Sequence, residues 1–99
     1  MADYVIIHTI GRAYRVNKTI TKKVLKIANE NLQKKISISE VELDLSQLGL
    51  DSITFIRIVV SLEETFEIEV PDEYLMVAAM NTITKMVDVV TTEIEKKAK

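Results

Sequence analysis

From residue 18 onward, apolar residues recur at spacings of three and four in three separate stretches. Each stretch predicts an amphipathic helix. Ile20, Val24, Ile27, Ala28 and Leu32 form the first stripe, in a helix predicted over Lys18–Lys34, with Lys22, Lys23 and Lys26 off it. Asn17 or Thr19 is expected to cap that helix. Phe55, Val59, Leu62 and Phe66, widened by Ile58, mark a second helix over Ser52–Glu67. Ile56 and Val60 lie beside this stripe, so the helix is apolar around much of its girth and is expected to be central. Ile83, Met86, Val87, Val90 and Ile94 mark a last helix from Asn81 or Thr82 to Lys96, with Lys96 and Lys97 near its C-terminus, where the helix dipole favours cations.

The segments between are less regular. Ile36–Leu50 is a long connection that Val41, Leu43, Leu45 and Leu48 are expected to pin to the helices; a hairpin would need an Asn-Gly or Asp-Gly turn it lacks. Pro71 stops helical continuation, and Asp72 is expected to cap a short helix over Asp72–Met80. Residues 1–17 break the pattern. Tyr4–Ile7 has the makings of a short strand without a partner, and Gly11 interrupts it, so 1–17 is expected to be a mobile or appended leader before a domain at 18–99. The expected fold is all-α: a four-helix bundle of three main helices plus a short third one, with a long loop between the first two.

Composition narrows this. Ninety-nine residues make one domain, and two Gly with one Pro favour helices over a turn-rich β fold. The absence of cysteine excludes disulfides and thiolate metal sites. The apolar run Ile53–Leu62 contains Arg57 and is too short to span a bilayer, and the N-terminus does not read as a secretory signal. A cytoplasmic location is expected. The net charge of −2 hides an asymmetry: residues 1–50 hold eight Lys/Arg against five Asp/Glu, residues 51–99 five against ten. Residues 51–73 contain seven acids and one base, Arg57. Such a window repels nucleic-acid phosphates and attracts a basic protein surface, unless it is simply a solvated helix face.

Ser52 stands out, after a Gly-Leu-Asp turn and before the apolar run. A nucleophilic serine needs a base and an oxyanion hole. The one histidine, His8, lies in the leader, and no Gly-x-Ser-x-Gly elbow surrounds Ser52, so no catalytic residue is expected. The acids lack the calcium-loop pattern, and no metal site is expected. Two readings remain. Ser52 is a helix N-cap, although Asp51 would cap equally well; or it carries a phosphodiester at a helix N-terminus, whose free N–H groups and partial positive charge suit an anion.

The segment "LGLDSI" resembles the Leu-Gly-x-Asp-Ser-Leu signature of acyl carrier proteins and peptidyl carrier domains. The likeness continues through "LEETFEIEVPDEYL" and covers residues 18–97. It implies that Ser52 takes a 4′-phosphopantetheine group from coenzyme A by way of a phosphopantetheinyl transferase. Acyl, aminoacyl or peptidyl thioesters would ride on its thiol between a loading enzyme and a downstream synthase or transferase. The chain would be a monomeric carrier, not an enzyme, with no nucleic-acid or membrane partner. Gly49 would make the turn before the serine, Asp51 would be the aspartate preceding it, and Ile53 an apolar partner contact. Glu63 and Glu64 would form the acidic end of the recognition helix, with Leu62, Phe66 and Val70 in core positions. Thr54 and Arg57 stand where fatty-acid carriers commonly have acids, which leans toward a specialised polyketide, nonribosomal-peptide or acyl-transfer pathway over housekeeping fatty-acid synthesis. Leu62, Met76 and Met80 are candidates for an acyl pocket, or Met76 and Met80 are ordinary core filler. The alternative from another class is an acidic helical interaction module in which Ser52 is only a cap.

Overall fold

Three α-helices and four short 3₁₀ turns make up residues 18–97, the part of the chain that the computed structural model describes. No strand occurs among the described residues. The leader, with His8 and Tyr4–Ile7, lies outside them. Helix α1 covers residues 18–31, α2 covers Ser52–Phe66 and α3 covers Ile83–Lys97. The predicted stripes turn inward: Ile20, Val24, Ile27 and Ala28 of α1, with Leu32 just past its end, meet Phe55, Ile58, Val59 and Leu62 of α2 and Ile83, Met86, Val87 and Val90 of α3 in one buried cluster. Val89 of α3 joins that cluster although the periodicity did not place it there. The largest side chains with no exposed surface include Leu45, Ile58, Leu62, Met80, Ile83 and Met86. Burial of each such side chain is worth about 1.5–3 kcal/mol.

The ends of the elements differ from expectation where distant contacts set them. Helix α1 stops at residue 31, not at Lys34. The Asn29 side chain clamps Ile36, donating to its carbonyl at 3.0 Å and accepting from its N–H at 2.9 Å. Ile36 is thereby returned to the core, which a helix running on to Lys34 would prevent. Thr19 lies inside the helix and does not cap it; Asn17 is outside the described residues.

The long connection is stitched to the start of α3. The Leu45 N–H donates to the Asn81 carbonyl at 2.8 Å, and the Thr84 N–H donates to the Val41 carbonyl at 3.1 Å. Two 3₁₀ turns, Ile38–Glu40 and Leu45–Leu48, occupy it. Leu45 is its anchor in the core, with Val41, Leu43 and Leu48 packed at the edge.

The predicted short helix over Asp72–Met80 is instead two 3₁₀ turns, Asp72–Tyr74 and Val77–Ala79. Pro71, not Asp72, holds the N-cap position. The break is Met76, whose extended backbone (φ −145°, ψ 144°) separates the turns. That reset leaves Leu75 and Met76 outside and drops Met80 into the core. The all-α fold with three main helices is as expected, and the short element between the last two is 3₁₀ rather than α-helical.

Helix α3 begins at Ile83, just past the expected start at Asn81 or Thr82, and the Thr82 hydroxyl accepts the Lys85 N–H at 3.1 Å. It ends with Lys96 and Lys97 in its last turn, and Lys97 Nζ donates to the carbonyl of Glu67. Helix α2 ends one residue before Glu67, which adopts a left-handed conformation at φ 54°. Its inner face packs on α1 and α3, but Ile53, Ile56 and Val60 are open to solvent, so α2 is not the enclosed central helix its composition suggested.

Candidate functional site

The approach to Ser52 is a series of tight turns. Asp44 opens the first of them: its carboxylate accepts the Ser46 N–H at 3.0 Å and the Ser46 hydroxyl at 2.6 Å. Those two bonds, the hydroxyl first, hold the Asp44 carboxyl below its ordinary pKa, helped by Asn81 and by the charge of Lys85. Gly49 closes the turn in the left-handed region at φ 94°, its N–H donating to the Leu45 carbonyl. A side chain is strained there, and a Cβ would also meet the Gln33 side chain at 3.3 Å. Leu50 is then buried, which fixes the chain's direction before Asp51 and Ser52 return to the surface.

Asp51 is the N-cap of α2. Its carboxylate accepts the Thr54 N–H at 2.8 Å, and its carbonyl accepts the Phe55 N–H at 2.8 Å. The Thr54 N–H, then the Thr54 hydroxyl, keep the Asp51 carboxyl below its ordinary pKa. The cap is therefore taken, and the reading of Ser52 as merely a cap does not hold. Ser52 is the first residue of the helix, exposed, and its hydroxyl makes no hydrogen bond among the described residues.

The other sequence candidates divide. Ile53 is 67% exposed beside Ser52, and Arg57 is exposed one turn further on. Thr54 is half-buried and engaged with Asp51. Glu64 faces solvent, whereas Glu63 is turned inward: its carboxylate accepts the Val70 N–H at 2.9 Å. Leu62 and Met80 have no exposed surface while Met76 is 58% exposed, so these three do not share one environment. Periodicity placed Ile56 and Val60 only beside the core stripe; the structure puts them in line with Ile53 on the outer face, at spacings of three and four. That spacing was the available signal, but it does not say which apolar line a fold leaves uncovered.

No group of side chains among the described residues is suited to hold a metal ion, and no helix among them is long and apolar enough to cross a membrane. Among the described residues Ser52 has no acid–base partner: its environment is an unbonded, exposed hydroxyl on a helix N-terminus. The family model described as "Phosphopantetheine attachment site" matches residues 18–90. The chain belongs to the phosphopantetheine-attachment family of carrier proteins. It is similar to the acyl carrier protein of Rickettsia bellii (strain OSU 85-389), at 38% identity over 72 residues that cover 72% of this chain and 83% of that protein. No solved structure matches significantly. Members of this family are carriers, not enzymes, and bear a covalently attached 4′-phosphopantetheine.

The surroundings of Ser52 fit such a group. Its hydroxyl is free and accessible, a phosphodiester there would lie against the N-terminus of a 15-residue helix, and the neighbouring Asp51 charge is already bonded to the helix backbone.

Proposed function

We propose that Ser52 is the attachment point of 4′-phosphopantetheine and that the chain shuttles acyl thioesters between enzymes of a dedicated pathway. The observation that carries this is the capping of α2 by Asp51, which leaves the Ser52 hydroxyl exposed and unbonded. When bound, the group supplies a flexible arm ending in a thiol, on which acyl cargo is held as a thioester. The protein's own part is to present that arm: Gly49 and Leu50 set the turn, Asp51 fixes the helix start, and the helix dipole favours the phosphate. The similar protein's name, acyl carrier protein, supports acyl over aminoacyl cargo. Thr54 and Arg57 on the first turns of α2 support a dedicated acyl-transfer route over general fatty-acid synthesis. The carrier unit begins near residue 18, with residues 1–17 outside it, a division that the family match to residues 18–90 supports.

Incubation with coenzyme A and a broad-specificity phosphopantetheinyl transferase tests the attachment. Intact mass should show one phosphopantetheinyl group on the wild-type chain and none on Ser52→Ala. An unmodified wild type, or a modified Ser52→Ala, would refute it.

A further inference from the structure

The turn that carries Ser52 hangs on Leu45, which has no exposed surface. The Leu45 carbonyl accepts the Gly49 N–H and, at 3.2 Å, the Leu50 N–H. Its own N–H donates to the Asn81 carbonyl at 2.8 Å. Gly49 and Leu50, the two residues before Asp51 and Ser52, are thus held through Leu45 by the segment in front of α3.

The Asn81 side chain makes a second link in the same place. Its Oδ1 accepts from the Lys85 ammonium at 3.0 Å, and its amide bonds the Asp44 carboxylate, which itself holds Ser46 by two bonds. An amide set between a cation and an anion is oriented by both, with its carbonyl toward the ammonium and its amino group toward the carboxylate. Lys85 also donates to the Ala78 carbonyl at 3.3 Å, in the last 3₁₀ turn before the buried Met80. It makes no ion pair among the described residues, so its ammonium is spent on these two oxygens. Ala78, Lys85, Asn81 and Asp44 form one polar chain from the 3₁₀ segment to the turn before α2. None of the four lies on α2.

We infer that Asn81 and Lys85 are positioning residues for the modification of Ser52: Lys85 aims the Asn81 amide at Asp44, and together they fix the turn from which Ser52 is presented. The inference rests on the attachment reading above and adds two residues from a different part of the chain. In the transfer, the Ser52 hydroxyl loses its proton to the transferase, forms a P–O bond with the phosphopantetheine phosphorus and expels the nucleotide half of coenzyme A. The attacking oxygen must stand in line with that leaving group, and a misplacement of about 1 Å costs up to about a hundredfold in rate. A loosened turn alters this placement and leaves the surface of α2 as it was. The loss therefore falls on kcat and not on KM.

The test is the transferase reaction with coenzyme A, read as kcat and KM for the carrier, on the wild type, Lys85→Ala, Lys85→Arg, Asn81→Asp and the exchanged pair Asp44→Asn/Asn81→Asp. Amide hydrogen exchange at Gly49 and Leu50, read by NMR, accompanies each. Lys85→Ala and Asn81→Asp should lower kcat about tenfold at an unchanged KM and quicken exchange at both amides. Asn81→Asp sets two carboxylates face to face, whereas the exchanged pair again has one amide and one carboxylate and should recover most of kcat. Lys85→Arg keeps a cation with several donors and should stay near the wild type. An unchanged kcat in both Lys85→Ala and Asn81→Asp, a loss confined to KM, or an exchanged pair as slow as Asn81→Asp overturns the inference while leaving the attachment intact. A lower melting temperature with wild-type kcat and wild-type exchange at Gly49 and Leu50 overturns it too. A wild type that accepts no group at all refutes the attachment reading and the inference with it.

Discussion

The Asp51 carboxylate accepts the Thr54 backbone N–H at 2.8 Å, and this bond decides what the neighbouring Ser52 is free to do. Serine and aspartate are comparable N-caps, so the sequence "DS" leaves the choice open. The structure gives the cap to Asp51 and the exposed hydroxyl to Ser52. The consequence for acid stability has a definite sign. The carboxyls of Asp51 and Asp44 are held below the ordinary value of 3.8, so each stabilises the fold fully above that value and less as pH falls through its folded pKa. The melting-temperature difference between the wild type and Asp51→Ala should therefore be largest at neutral pH and shrink below 3.8. A difference that stays constant into that acid range would mean that the bond does not depend on the carboxylate's charge.

Gly49 is the second requirement of the turn before Ser52. At φ 94°, any other residue adopts the left-handed region at a cost of about 1–2 kcal/mol, and the Gln33 side chain must also give way. Denaturant melts of Gly49→Ala should show a loss of that size with an unchanged m-value. A neutral substitution would show that the turn relaxes to another conformation.

Glu63 has a role inside the fold besides the partner edge expected of it. Its position at the acidic end of α2 pointed to a partner edge, but its carboxylate accepts the Val70 N–H, and its carbonyl accepts the Ile68 N–H at 3.1 Å. Its first role is to fold the chain back after the left-handed Glu67. Glu63→Ala leaves the N–H of the buried Val70 without that acceptor and should cost about 1–3 kcal/mol, whereas Glu63→Gln keeps an acceptor and should cost less. Equal losses from both variants would contradict this role.

What the sequence disclosed follows the range of the interactions involved. The three helical stripes were legible because period 3.6 is local, and Val24, Leu62 and Met86 all lie where their spacing put them. The end of α1 was not legible, because Asn29 reaches seven residues on to Ile36. Nor was the 3₁₀ segment, since the extended Met76 answers to Met80 entering the core and to no local preference. The same limit hid the outer face of α2: composition shows that Ile56 and Val60 are apolar, not that no element covers them.

Met80 links that irregular segment to the core. It has no exposed surface and packs in the cluster that holds Leu62 and Met86. Met80→Ala should cost about 2–5 kcal/mol, while Met76→Ala, on the exposed side, should be nearly neutral. Chemical denaturation of the two variants separates them. Equal effects would contradict the division of the two methionines between core and surface.

The position of the prosthetic group is the most direct test of the whole account. After enzymatic modification of the wild-type chain, fragmentation mass spectrometry of its peptides locates the added phosphopantetheine. The chain offers Ser37, Ser39, Ser46, Ser52 and Ser61. Ser46 and Ser37 are already engaged with Asp44 and Glu40, and Ser61 is half-buried in α2. The group is predicted on Ser52 alone; its appearance on any other serine would contradict the account.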